Sequence, residues 1–215
     1  MSVGGPRDAG DERRARAPHT EGTDRIEAFT DGVIAIVVTL LVLELHVPEG
    51  EDLEAGLLAM MPKFASLMVS FVTVAIYWVN HHHFFDRLRF TDWRLLWANN
   101  HFLFWLSLIP FTTALVGDHT FDPLAVTVYA GDLMLTGAAF VVMGQYALFH
   151  SDLADESIPM SVRRHERRRG WTGVSAYLMA GVLAWVWLPG ALLLFAAIPV
   201  TYFVPSLLNP PDSEG

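Results

Sequence analysis

Cysteine is absent from the 215 residues. That removes disulfides, thiolate metal sites and thiol nucleophiles together. Charge is scarce as well: 17% of residues are Asp, Glu, Lys or Arg, against about 25% in an ordinary soluble domain. A chain with so little to present to water, and with 53% hydrophobic residues, is expected to turn much of its surface to lipid. The formal net charge of −9 argues against nucleic acid as a partner. The first 24 residues, MSVGGPRDAGDERRARAPHTEGTD, lack the apolar core of a signal peptide and are expected to form a disordered tail. Alternating polarity is also missing, so the apolar runs do not fit a membrane barrel, whose strands are about 10 residues of alternating character.

What is present is a series of long apolar runs. A spanning helix needs about 20 mostly apolar residues, and six runs qualify: Ile26–Val47, Met61–Asn80, Trp93–Val116, Pro123–Phe149, Trp171–Leu188 and Ala191–Leu208. The dipeptide Pro189–Gly190 reads as the turn of a hairpin joining the last two. Helices are the only open-chain solution, because lipid offers backbone groups no partners. The Lys and Arg residues are segregated. Five precede or open the first run (Arg7, Arg13, Arg14, Arg16, Arg25), three follow the second (Arg87, Arg89, Arg94) and five precede the fifth (Arg163, Arg164, Arg167, Arg168, Arg169). Lys63 completes the 14, and the other connections are acidic. The positive-inside rule then places both termini in the cytoplasm of a multi-pass cell-membrane protein. Trp93, Trp97, Trp171 and Trp187 fall near run ends, where aromatic anchors belong. The expected organisation is a tail over 1–24, a transmembrane domain over 25–208 and a short cytoplasmic tail over 209–215.

Which residues could carry chemistry? The stretch NHHHFFD, Asn80–Asp86, suggests metal, with His101 and His150 as additions. Neighbours on a helix point about 100° apart, so three consecutive histidines cannot aim at one ion; no metal or cofactor is expected. A histidine there can instead serve a buried partner, and Asp31 is the candidate. A buried charge in a membrane must be paired or hydrogen-bonded. Depth matches Asp31 to Trp78, to His81 or His82, and to Asn99, while Arg25 reaches it only if the chain bends. The alternative is an exposed Asp31 at a helix N-cap, helped by Thr30. Asp132 is the deepest ionisable residue, and Glu44 lies near the outer end of the first run. Either could carry a cation or a proton in a proton-coupled transporter. On the first run, Gly32, Ile36, Thr39, Leu40 and Leu43 share one helical face. Periodicity leaves open whether that face packs against a helix or lines a pore.

Three motifs resemble a known family. RIEAFTDG is similar to the R-x-x-x-F-[ST]-D-G signature that opens the first helix of the bacterial transmembrane protein 175 family, relatives of the endosomal and lysosomal potassium channel. The matching residues are Arg25, Phe29, Thr30, Asp31 and Gly32, with Thr30 where serine is more usual. YWVNHHHFFDRLRFTDWRLLWANN resembles the second and third helices, with Trp78, His82, Asp92, Leu95, Leu96, Trp97 and Asn99 in place. LIPFTTALV, around Pro110, matches too. The resemblance covers Arg25–Val116 by motif and the remainder in length and order.

The resemblance implies an all-α bundle of six transmembrane helices, assembling as a homotetramer around a central pore lined by the first helix. It implies passive, potassium-selective conduction without a conventional filter loop, and no Thr-Val-Gly-Tyr-Gly stretch occurs here. On this reading Ile36, Leu40 and Leu43 form a hydrophobic constriction and Thr39 contributes to potassium preference. Arg25, Phe29, Thr30, Asp31, Gly32, Trp78, His82 and Asn99 become the motif and interhelical anchor. Partners are potassium ions, the bilayer and further copies of the chain. The competing readings are the transporter built on Asp132 or Glu44 and a membrane metalloenzyme built on the histidines.

Overall fold

The computed structural model describes residues 21–48, 52–149, 153–155 and 157–208, the last seven and the first two by backbone alone. Among them the regular structure is helical: α1 Glu21–Leu43, α2 Leu53–Ala59, α3 Met61–Phe85, α4 Trp93–Leu106, α5 Ile109–Asp118, α6 Pro123–Phe149, α7 Met160–Leu183 and α8 Leu188–Leu208. Extended pairing is confined to one antiparallel bridge, Leu88 with Ala154. Four helical stretches are long and apolar enough to cross a membrane: Thr23–Leu43, Met61–Phe85, Trp93–Asp118 and Pro123–Phe149. In α7 the run from Arg163 to Arg169 occupies the first half, leaving only Trp171–Leu183 apolar. The shorter apolar stretch Leu188–Thr201 belongs to α8.

Element boundaries depart from the sequence expectation in several places, among them the second run, whose helix continues past Asn80 to Phe85, and the fifth, whose helix is Met160–Leu183 in place of Trp171–Leu188. Helix α1 begins at Glu21, so the expected tail gives up its last four residues; positions 1–20 and 209–215 lie outside the described residues, as does His150. It ends at Leu43, leaving Glu44 beyond the last turn. The third run is not one helix but two, α4 and α5, broken at Ser107–Leu108. Pro110 explains the break. It has no N–H to give to the preceding turn, and it stands in the first turn of α5, where none is needed. Pro189 behaves likewise. It sits inside the first turn of α8, and the chain reverses earlier, through Ala184–Trp187.

Helix α6 is the centre of the bundle, buried along its length and packed on α4, α5 and α7. Helix α1 is an edge element. It rests on α3, α4 and α5 through Ile34, Val37 and Leu41, which enter the main core with Val74, Phe102 and Leu106. A second core closes the basic end, where Ile26 of α1 meets Phe84, Phe85, Leu95 and Met143. Two devices tie that end. Asp92 caps α4 by accepting the Leu95 N–H at 2.7 Å and also accepts from the Tyr146 hydroxyl. Arg163 donates to the carbonyls of Leu148, of Asp155 at 2.9 Å and of Ile158 at 3.2 Å. At the opposite, acidic end Lys63 pairs with Asp118, which accounts for the single basic residue outside the basic connections.

Candidate functional site

The motif Arg25–Gly32 lies within α1, a helix of 23 residues whose backbone groups are already bonded to one another, so its buried polar side chains look to neighbouring helices for partners. The N-cap reading of Asp31 is thereby overturned: α1 starts at Glu21. The Trp78 indole Nε1–H donates to Asp31 Oδ1 at 2.9 Å. Thr30, fully buried, accepts from the Asn99 amide at 2.9 Å. Asn99 Oδ1 in turn lies 3.0 Å from His81 Nε2. Since the Asn99 oxygen can only accept, His81 carries its proton on Nε2 and donates. The imidazole is held flat by Phe85, ring centroids 4.4 Å apart, and by Phe102 at 6.1 Å.

The expected cluster of Asp31, Trp78, histidine and Asn99 is therefore assembled, but with different pairing. Asp31 takes Trp78 alone of the four and is itself exposed in the single chain. The buried hub is Thr30, one residue earlier, which reaches Asn99 and through it His81. His82 points elsewhere and meets Glu27 through Nδ1 at 2.5 Å. Arg25 makes no ion pair with Asp31 among the described residues: six residues are about 600° of helix, which puts the two on different faces. Phe29, 58% exposed, and Gly32 also face outward, and a Cβ on Gly32 would meet open space.

The histidine run behaves as helix geometry dictates. His81 points into the core, His82 towards α1 and His83 into a cavity between α3, α6 and α7. A group able to ligate a metal does occur, but it is Glu27, His82 and Asp86, one ligand atom from each lying within 4.8 Å of the others. The direct Glu27–His82 hydrogen bond accounts for this grouping without an ion. Glu27 was not singled out from sequence; its spacing of three and four residues from Thr30 and Asp31 was the available signal.

Beyond the motif, α1 has two faces. Ile26, Thr30, Ile34, Val37 and Leu41 are buried in the chain's own core. Ile36, Leu40 and Leu43 are 60%, 40% and 69% exposed, and Gly32 and Thr39 lie exposed on the same stripe. The Thr39 hydroxyl donates to the Ile36 carbonyl at 2.7 Å. Its proton is thus committed to the backbone while its oxygen lone pairs remain outward.

Of the two other ionisable candidates, Glu44 is exposed beyond the end of α1. Asp132 is buried in α6; the Thr112 hydroxyl donates to its Oδ2 at 2.7 Å, and its Oδ1 has no hydrogen-bond partner among the described residues. It lies off the exposed stripe of α1. A further buried polar group, missed in the sequence, joins three helices: Ser70 lies 2.6 Å from the Thr113 hydroxyl and 2.8 Å from that of Tyr129.

Comparison with known proteins places this geometry in context. The family described as endosomal/lysosomal potassium channel TMEM175 matches residues 25–110. A potassium channel of Chamaesiphon minutus is 34% identical over 186 residues, 80% of this chain and 90% of that protein. A potassium channel of a Chryseobacterium strain is 44% identical over 119 residues, 55% of this chain and 62% of that one. Among solved structures, a lysosomal potassium-selective channel TMEM175 homolog from Chamaesiphon minutus superposes with a TM-score of 0.77 at 28% identity. It covers 86% of this chain and 97% of its own.

Proposed function

The chain belongs to the TMEM175 family of multi-pass membrane proteins, and from that premise we propose that it is a potassium-selective channel conducting passively through a pore lined by α1. The observation that carries this reading is the exposed stripe of α1. Gly32, Ile36, Thr39, Leu40 and Leu43 remain uncovered on an edge helix whose opposite face is fully packed. Six crossings are proposed, α7 and α8 supplying the last two, with four copies arranged about one axis and both termini cytoplasmic. The gathering of Arg25, Arg87, Arg94 and Arg163 at one end of the bundle supports that orientation.

The mechanism follows from the order of residues along the stripe. Ile36 side chains from four copies form an aliphatic neck that closes by excluding water. Thr39 is three residues further, about 4.5 Å along the axis. A cation stripped in the neck there meets oxygens whose protons are already given to the Ile36 carbonyl, so the atom it meets is an acceptor. Potassium gives up part of its hydration more readily than sodium does. A neck with few substitute ligands already favours potassium, and the hydroxyl level strengthens the preference. Leu40 and Leu43 extend the apolar lining. The links Trp78–Asp31 and Asn99–Thr30 hold the base of α1 so that the stripe keeps its rotation.

The test is flux from liposomes holding a potassium gradient. Passive flux without a proton gradient supports the channel. A second reading, a proton-coupled transporter, retains one observation in its favour, the buried Asp132 carboxylate with an oxygen left over. Flux that requires an opposing proton gradient and stops in Asp132→Asn would establish that reading and overturn the channel.

A further inference from the structure

Between α3, α6 and α7 lies a cavity of about 420 Å³, within the size range of ligand sites. It is on the far side of α3 from the exposed stripe of α1, and the pore leaves it unused. Its two ends differ in chemistry. Towards the middle of the helices it is walled by Ile76, Tyr77, Phe140, Val174 and Tyr177. Towards the basic end it is ringed by Arg87, Arg163, Arg167 and Arg169, with His83 beside them. Gly137 and Gly144 on α6 and Gly170 and Gly173 on α7 lie along the lining between the two ends; Gly137 and Gly170 are close-packed, a Cβ there meeting Tyr77 and Val174 or Val141. At Gly144 an added Cβ would touch nothing within 4 Å, so the groove is hollow there.

Charge is unbalanced at the rim. Among the described residues Glu166 is the one carboxylate in the lining, and it is already engaged by Arg87 at 2.9 Å. Arg163 gives its donors to the carbonyls of Leu148, Asp155 and Ile158, and its charge is balanced in part by the Asp155 carboxylate, which lies within electrostatic reach. Arg167 stacks on the Phe149 ring, 5.2 Å from its centroid. The lining from Gly137 to Phe149 spans thirteen residues of α6, about 18 Å of helix from first to last. That is comparable with one leaflet, half of a hydrocarbon core of about 30 Å.

We propose that this cavity binds one anionic phospholipid of the leaflet at the basic end, its phosphate among the arginines and an acyl chain along the glycine-lined groove. An elongated groove with cations at one end and aromatic and aliphatic walls at the other matches an amphiphile and neither a free anion nor a sterol-like apolar body. A zwitterionic lipid would bring its own cation against the arginines. The inference rests on the family's membrane setting and not on the pore, and lipid binding can be measured without ion flux.

The experiment uses the full chain, purified in a neutral detergent and stripped of lipid, then titrated with phosphatidylglycerol, phosphatidylcholine or inorganic phosphate. Bound lipid is counted by native mass spectrometry and thermal stability is followed in parallel. The expected result is one phosphatidylglycerol per chain, raised stability, and no comparable effect of the other two probes. Arg167→Gln should weaken binding about fivefold, the worth of one arginine near a charged lipid surface. Arg164→Gln and Arg168→Gln, on the same helix but outside the lining, should leave it unchanged. Gly144→Leu, which fills hollow space, should abolish retention while keeping the parent's stability without lipid. Equal binding of phosphatidylcholine would overturn the charge selection. Protection by inorganic phosphate alone would overturn the lipid. Unchanged binding in both Arg167→Gln and Gly144→Leu would overturn the site.

Discussion

Replacing Asn99 by leucine tests which polar contact anchors α1. Asn99 is 2% exposed, and both its partners, Thr30 and His81, are fully buried. The substitution keeps the volume but strands two groups at once, the Thr30 hydroxyl and the His81 Nε2–H. Each buried polar group left without a partner costs about 1–3 kcal/mol, so the change should cost roughly 2–6 kcal/mol. At about 2–4 °C per kcal/mol for a chain of this size, the melting temperature should fall well outside measurement error. Asp31→Asn is the comparison. The amide oxygen can still accept from the Trp78 indole, and the site is exposed, so only the charge-assisted part of one hydrogen bond is lost, on the order of 1 kcal/mol. Thermal unfolding of the purified protein in detergent, followed by indole fluorescence, should therefore rank Asn99→Leu well below Asp31→Asn. Adding Thr30→Val to Asn99→Leu removes one of the stranded groups and should recover part of the loss. The reasoning fails if Asp31→Asn is the more damaging, or if the second substitution makes Asn99→Leu worse by the full cost of Thr30→Val alone.

Three other outcomes concern conduction. Thr39→Val keeps the shape and removes the oxygen; the potassium-over-sodium permeability ratio, read from bi-ionic reversal potentials, should drop, and an unchanged ratio leaves Thr39 with only its bond to the Ile36 carbonyl. Asp132→Asn retains an acceptor for the Thr112 hydroxyl and should pass potassium passively as the parent does; loss of all flux in a protein that is still folded contradicts the channel. Ile36→Asn should raise resting conductance by wetting the neck, and single-channel recording in planar bilayers will show whether it does.

The sequence carried the two faces of α1 because buried Ile34, Val37 and Leu41 alternate at helical spacing with Ile36, Thr39, Leu40 and Leu43. It also brought together the right group at the base of α1, since depth along neighbouring helices follows from counting residues. Pairing within the group did not follow. Which of Thr30 and Asp31 meets Asn99, and which histidine turns inward, depends on how α3 is rotated about its axis. Exposed and core-facing residues of α3 are alike in polarity: exposed Phe64, Met68 and Phe71 are as apolar as buried Leu67 and Val74. Hydropathy therefore fixes its span and not its rotation. The break before α5 was hidden for a related reason, because Leu108, Ile109 and Phe111 keep the run apolar across the point where Pro110 interrupts the helix. At Pro189–Gly190 the dipeptide read as a turn is a helix start, proline being acceptable in a first turn for the same missing N–H that makes it a breaker.

An exposed aliphatic stripe on a membrane helix is ambiguous in energy, and Ile36 shows why. In water such a stripe would demand cover. In a bilayer, lipid tails solvate Ile36, Leu40 and Leu43 as well as a neighbouring subunit would, so their exposure alone forces no assembly. Thr39 does not force it either, since its proton is bonded within the helix. What separates lipid from a pore axis is the response to polarity. If Ile36 faced lipid, an asparagine there would sit unpartnered in hydrocarbon, where a buried amide costs several kcal/mol. The result would be poor insertion and low yield with no gain in conductance. If four Ile36 side chains face one another across a dry neck, the same asparagines meet each other and water, assembly is retained, and the barrier to ions falls. Yield and conductance then move in opposite senses under the two arrangements, so one substitution, with both quantities measured, distinguishes them.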